Sequence, residues 1–225
     1  MYATSPGRRW ISAAAVAVMV FTALPGSSAS LAREDRTDRG PGCTMYILQA
    51  EKDYGIPRGL LLSLSLVESG LGGEPYPWAI NMAGKSIWAE SRDDAVRRMT
   101  DSRGNIRRNT MAGCMQLSVF LHGRQFSSTE DLLTPRQNVD YAARYLKRHY
   151  NRFGDWVLAV KRYNGGTTAQ KAAYACRIWN TWKRLPSGDR EGIRAPSCDK
   201  KGSAPISDEV HNLFETYTLA QAELP

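Results

Sequence analysis

Residues 56–70 read Ile56-Pro57-Arg58-Gly59-Leu60-Leu61-Leu62-Ser63-Leu64-Ser65-Leu66-Val67-Glu68-Ser69-Gly70. Leu60, Leu61, Leu62, Leu64, Leu66 and Val67 make the stretch apolar on nearly every side, the pattern of a helix buried in a domain core. Pro57 suits the first helical position and Gly70 the residue just past the last turn. Glu68 falls at the end of this apolar segment. Taken alone, it reads as a carboxylate on an exposed last turn. In a buried setting, desolvation and the negative end of the helix dipole would both raise its pKa, which is what a general acid working near neutrality needs.

Upstream, residues 1–32 have the form of an export signal. Arg8 and Arg9 supply the positive end, Trp10 to Leu24 an apolar run short for a membrane span, and small residues follow Pro25-Gly26. Removing them takes Lys+Arg from 30 to 28 against 22 acids, leaving about +6. That surplus suits an anionic polymer. Nucleic acid is disfavoured by the export signal and by the lack of a basic stripe interleaved with aromatics. Residues 33–42 read as a flexible lead-in, and the remaining length suits one domain with a sizeable core.

Four cysteines, Cys43, Cys114, Cys176 and Cys198, in an exported chain suggest two disulfides, with three connectivities open. Cys43–Cys114 and Cys176–Cys198 are the expected pairs, each joining segments that the helical core or a short connection can bring together; Cys114 as a buried free thiol is the alternative. No CxxC appears, and His122, His149 and His211 are scattered, so neither metal nor other cofactor is expected.

The pattern predicts a helix over about 44–54 closed by Gly55, and a hairpin through Trp78, Ile80, Met82 and Ile87-Trp88 turning at Ala83-Gly84-Lys85. Ser91 with Asp94 starts a helix to about Thr100. A long amphipathic helix runs from Thr134-Pro135 to about Phe153, with Gly154 at its end, and Asp155 caps the next. Thr168 can cap a helix reaching about Leu185. The rest, 186–225, reads as a polar tail with a weak helical spacing at Ile206, Val210, Leu213, Phe214 and Tyr217. The fold class is α+β, mainly α, with a small β-hairpin insertion.

Four segments in order, E-S-G at 68–70, G-C-M-Q at 113–116, N-V-D-Y-A-A-R-Y-L at 138–146 and G-D-W-V-L-A-V-K-R-Y-N-G-G at 154–166, make the chain resemble the lytic transglycosylases of the soluble, goose-lysozyme-like type over about residues 43–184. The resemblance implies a lysozyme-like helical catalytic domain, 43–185, with Glu68 as the single catalytic acid and Ser69 beside it. Met115 and Gln116 would line the sugar groove. Asn138 matches the asparagine opening the third motif. Tyr163 and Asn164 match the last motif, whose tyrosine hydroxyl approaches the acid. Two features depart from the family pattern. Glu68 and Gln116 are 48 positions apart, longer than usual, which the Trp78–Trp88 hairpin accounts for, and YNGG lacks the alanine usual between Asn and Gly.

The implied substrate is the peptidoglycan glycan strand, cut between N-acetylmuramic acid and N-acetylglucosamine with closure of a 1,6-anhydro ring, in the periplasm. Trp78, Trp88, Tyr76 and Tyr163 are candidate sugar-stacking rings; Trp156, Trp179 and Trp182 read as core. A hydrolytic lysozyme would need a second carboxylate opposite Glu68. A catalytically weak peptidoglycan-binding accessory of an envelope secretion or assembly machine would leave Glu68 exposed. No stable membrane anchor is expected after signal cleavage.

Overall fold

The computed structural model describes residues 42–186, 188–198 and 202–222. The expected export signal and all of the lead-in but Gly42 lie outside the described residues. Eight α-helices are present among these residues: α1 Cys43–Asp53, α2 Leu60–Ser69, α3 Arg92–Met99, α4 Val119–His122, α5 Pro135–Phe153, α6 Trp156–Tyr163, α7 Thr168–Trp182 and α8 Asp208–Ala222. Strands β1 Ala79–Met82, β2 Lys85–Trp88, β3 Thr110–Ala112 and β4 Leu117–Ser118 form one antiparallel sheet in the order β2-β1-β3-β4. The architecture is the mainly α, lysozyme-like one expected, and the hairpin is the first half of a larger sheet.

The centre of the core is α2. Leu61, Leu62 and Leu64 are wholly buried, and so are Ser63 and Ser65 between them. The serines fit because their hydroxyls are bonded: Ser63 Oγ donates to the Gly59 carbonyl one turn back at 2.6 Å and Ser65 Oγ to the Cys114 carbonyl at 2.8 Å. The helix starts at Leu60, not at Pro57, because Gly59 takes a left-handed φ of 87° just before it. Gly70 ends it with φ −54°, outside the left-handed region. Its need for glycine is steric, since a Cβ there would lie 2.3 Å from the Leu66 carbonyl oxygen.

Against this helix pack α1 and α7, while α5 packs on α1 and α6, and α6 on α7. The segment after Leu185 carries a helix where the weak spacing from Ile206 to Tyr217 allows one. Its helix α8 buries Val210 and Phe214, Tyr217 Oη donates to Gln49 Oε1 of α1 at 2.9 Å, and Ser207 N donates to the Gly73 carbonyl at 3.0 Å. Burying a phenylalanine side chain contributes about 2–3 kcal/mol, so this segment is part of the folded body. Bridges join Cys43 to Cys114 and Cys176 to Cys198, with Cα separations of 5.9 and 5.5 Å, in the expected pairing.

Candidate active site

Glu51 of α1 fixes one end of α2. Gly59 has no side chain to cap the helix, and the Glu51 carboxylate does so instead, accepting from Gly59 N at 2.8 Å and Leu62 N at 2.9 Å. The carboxylate thus faces the positive end of the helix dipole. Burial dominates nonetheless and pushes Glu51 up to about 8, against the pull of those backbone donors. Sequence reasoning missed this residue, because a glutamate on an amphipathic helix looks solvated.

Glu68 stands at the other end, partly open to solvent. Desolvation lifts it to about 7; the Tyr174 hydrogen bond and the Arg177 charge draw it back down. Tyr174 Oη donates to Glu68 Oε1 at 2.5 Å. The pairing follows from how α7 runs antiparallel along α2. At the near end, Trp182 Nε1 donates to the Arg58 carbonyl at 2.8 Å, just before α2 begins. Eight residues back along α7, about 12 Å at 1.5 Å per residue, comes Tyr174, and a similar distance along α2 comes Glu68. A capping box, with Thr167 Oγ1 accepting from Gln170 N and Gln170 Oε1 from Thr167 N, starts α7 one residue earlier than a Thr168 cap would. The spacing Tyr174, Ile178, Thr181, Trp182 is the inward-facing signal that would have found Tyr174 in the sequence.

Tyr163 lies within electrostatic reach of Glu68, but its hydrogen-bond partner is another group. Its hydroxyl donates to the Met115 carbonyl at 2.8 Å instead of to Glu68. It is nonetheless close enough that the Glu68 charge, after burial, helps hold it well above 10. Tyr174 is held well above 10 by the same two causes. Both phenols therefore stay protonated, one donating to the carboxyl and one to the loop beside it.

That loop, 112–116, is fastened from four sides. The Cys43–Cys114 bridge ties it to α1. The Cys114 carbonyl accepts from Ser65 and Ser69 hydroxyls, both at 2.8 Å, tying it to α2. Asn138, wholly buried on α5, accepts from Met115 N at 2.9 Å and donates to the Ala112 and Leu132 carbonyls at 3.0 and 2.8 Å. Gly113 allows this approach: a Cβ would meet the Leu132 carbonyl oxygen at 2.3 Å and the Asn138 amide at 2.4 Å. Gln116 then adopts φ 45°, unusual for a residue with a side chain, and its amide donates to the Ala79 and Gly113 carbonyls.

Two sequence-predicted site residues face inward. Met115 is wholly buried and offers its carbonyl, not its thioether, to the site. Ser69 is 2 % exposed, and its hydroxyl bridges Cys114 O and Tyr76 N. Gln116 and Asn164, the latter ending α6, are half-buried. Trp78 is half-buried with its ring edge-on to Tyr76, whereas Trp88 is 42 % exposed and donates from Nε1 to the Ser69 carbonyl at 3.2 Å. Trp88 is thus the open ring beside the Glu68 turn. Trp156 and Trp182 are buried, as the helical spacing predicts.

From Tyr163 an aromatic row crosses α5 and reaches α4: Tyr145 at 5.6 Å, then Tyr141 stacked on Tyr145, then His122, whose Nδ1 is 2.9 Å from Tyr141 Oη. Among the described residues, no group of three or more His, Cys, Asp and Glu side chains is placed to hold a metal. A cavity of about 630 Å³ opens by Gly55, Ile56 and Pro57, before the start of α2, the end remote from Glu68. Its Asp155 caps α6 and its Asp189 pairs with Arg58.

The chemistry this arrangement allows is proton transfer. A carboxyl near 7, half-open and held by one phenol, can give a proton to a leaving oxygen and take one back near neutrality. Residues 45–179 match the family described as the transglycosylase SLT domain. No curated protein and no solved structure matches the chain.

Proposed function

The chain belongs to the soluble lytic transglycosylase (SLT) family, and from that premise we propose that Glu68 alone serves as acid and then base in cutting the β-1,4 bond between N-acetylmuramic acid and N-acetylglucosamine. The family consists of peptidoglycan lytic transglycosylases, glycosidic-bond lyases, so peptidoglycan is the substrate at family level. A peptidoglycan-acting domain with two disulfides belongs outside the cytoplasm. Among the described residues no helix is long and apolar enough to cross a membrane. Within that setting we take the compartment to be the periplasm, reached by a signal at 1–32.

In the proposed reaction, the Glu68 proton passes to the glycosidic oxygen as the C1–O bond breaks. The substrate's acetamido group stabilises the developing positive charge, the substrate-assisted exception to the two-carboxylate rule. Ionised Glu68 then takes the proton of the muramoyl 6-hydroxyl, whose oxygen closes on C1. Glu68 is regenerated as the acid and no water is consumed. Gln116, Asn164, Trp78 and Trp88 are proposed to border the sugar, while Ser69 and Met115 support it through the loop. The observation that carries this reading is the carboxyl lifted to about 7 with Tyr174 2.5 Å away.

A hydrolytic mechanism asks for a carboxylate facing Glu68. Glu74 instead accepts from Ser207 Oγ at 3.4 Å, and Glu90 is exposed. Mass spectrometry of muropeptides released from purified sacculi tests the proposal. The expected products carry 1,6-anhydromuramic ends; reducing ends alone would replace this reading with a lysozyme.

A further inference from the structure

Directly paired residues of an antiparallel sheet share a face. The register therefore puts Ile87, Ile80, Ala112 and Leu117 on the core side and Trp88, Asn81, Ser86, Met111 and Ser118 on the outer side. Trp88, on the edge strand β2, donates to the carbonyl of the residue after Glu68. Met111 lies two strands further and two residues along, roughly 12 Å away by sheet spacing. The outer face thus leads from the Glu68 turn across the sheet, beyond the reach of a single sugar ring.

At its far side the face opens into a groove of about 580 Å³ between β3, β4 and α4, bordered by Arg108, Asn109, Met111, Ser118 and Phe120. Met111 is 46 % exposed and Phe120 58 %. The Arg108 guanidinium lies 4.5 Å over the Phe120 ring, which holds the charge in place at the groove while leaving its N–H edges available. Of the three arginines in residues 103–108, Arg108 lines this groove, while Arg107 lies near the Asp101 carboxylate. An exposed ring and thioether fit the apolar face of a sugar, and a serine and an asparagine fit its hydroxyl and acetamido groups. A stacked guanidinium fits a carboxylate. A plain neutral glycan would use the first two and leave Arg108 without purpose; a strand bearing peptide stems presents carboxylates at intervals.

We propose that this groove is a distal subsite of the glycan cleft, in which Phe120 and Met111 support a sugar ring and Arg108 binds a carboxylate of the peptide stem carried by a muramic acid residue. The assignment rests on the reading of Glu68 as the cutting residue and extends it to the choice of strand.

The test is an affinity measurement on Glu68→Gln protein, which holds strands without cutting them. It uses solubilised stem-bearing glycan strands and the same strands stripped of stems by an amidase, with the lactyl carboxylates that this exposes capped as methylamides. Arg108→Glu is expected to weaken binding of stem-bearing strands about tenfold or more and of stripped strands less than about twofold. Phe120→Ala is expected to weaken both. Arg108→Ala, which adds no repulsion, gives the same ordering with a smaller loss, and circular dichroism checks that these surface variants fold. An equal loss on both strands, or no loss on either, overturns the stem assignment; unaltered binding by Phe120→Ala overturns the subsite. Failure of the wild-type chain to cut sacculi is a separate result, and it would count against Glu68 itself.

Discussion

Tyr174 Oη donates to Glu68 Oε1 at 2.5 Å across 106 residues of sequence, and the antiparallel run of α7 along α2 is what brings them together. A donated hydrogen bond favours the ionised carboxylate, so it opposes the burial that raises Glu68. Tyr174→Phe should therefore raise the Glu68 pKa further, by up to about one unit. The alkaline limb of the pH–rate profile for sacculus digestion should move upward. A limb that stays put would mean that the phenol does not hold the titrating group.

Activity itself should be highest below about 7 and decline as pH climbs through that value, because the acid form is lost there. Glu68→Gln should lower turnover by at least a hundredfold, on the order of a general acid's contribution. A rate that keeps rising into alkaline buffer would contradict the assignment.

The same substitution should alter stability with a definite sign. A folded-state pKa of about 7 against a model value of 4.5 means that the native protein holds its Glu68 proton where the unfolded chain has released it. The native advantage is full below about 4.5 and is lost as pH rises through 7. Glu68→Gln is spared the buried charge, so above pH 7 it should be more stable than wild type, by about 1–3 kcal/mol. Below pH 4.5 the two should be close. Denaturant melts at pH 4.5 and pH 8 measure the difference.

Asn138→Ala should be among the most damaging substitutions outside the Glu68 pocket. It strands Met115 N and the Ala112 and Leu132 carbonyls in the interior. A loss of about 3–5 kcal/mol is expected. Asn138→Asp keeps one acceptor and loses both donors, and should not rescue it. A melt within about 0.5 kcal/mol of wild type would show that the loop finds other partners.

Removing the Cys43–Cys114 bridge by Cys43→Ala with Cys114→Ala should cost about 2–4 kcal/mol. It should also reduce digestion of sacculi at temperatures where the protein remains folded, since the 112–116 loop loses one of its ties beside Glu68. The Cys176–Cys198 bridge joins α7 to the segment after it, and its removal should show mainly in the melt. The reverse ordering of effects on activity would contradict this.

How much of this was legible in the sequence depended on range. The burial of α2, the Ser91 and Asp155 caps, the Pro135 start and the Gly154 end of α5 are local signals, and each lies where the pattern places it. Glu51 was not legible, because its partners are backbone N–H groups that appear only when the chain turns back at Gly55. Strands β3 and β4, of three and two residues, are too short for an alternating pattern to show. The Tyr163 hydroxyl was directed to Glu68 on resemblance alone, but the path of the 112–116 loop brings the Met115 carbonyl to it first. Tyr174 was hidden for a third reason: its spacing with Ile178, Thr181 and Trp182 marks it as inward-facing, but which residue of α2 it meets depends on how α7 runs along α2.

The match to the family stops at residue 179, yet the hydrophobic core runs on to Phe214. The two limits have different consequences for any cut in the chain. Truncation near residue 185 would remove no catalytic candidate, but it would uncover the seats of Val210 and Phe214 and free the Gly73 carbonyl, four residues past Ser69, whereas a proteolytic nick there leaves the segment tied by the Cys176–Cys198 bridge. The shortened molecule would keep every signature by which the family is recognised and would present an adhesive apolar flank to its neighbours. For this chain, the boundary drawn by likeness to other proteins is not the boundary at which the molecule becomes soluble.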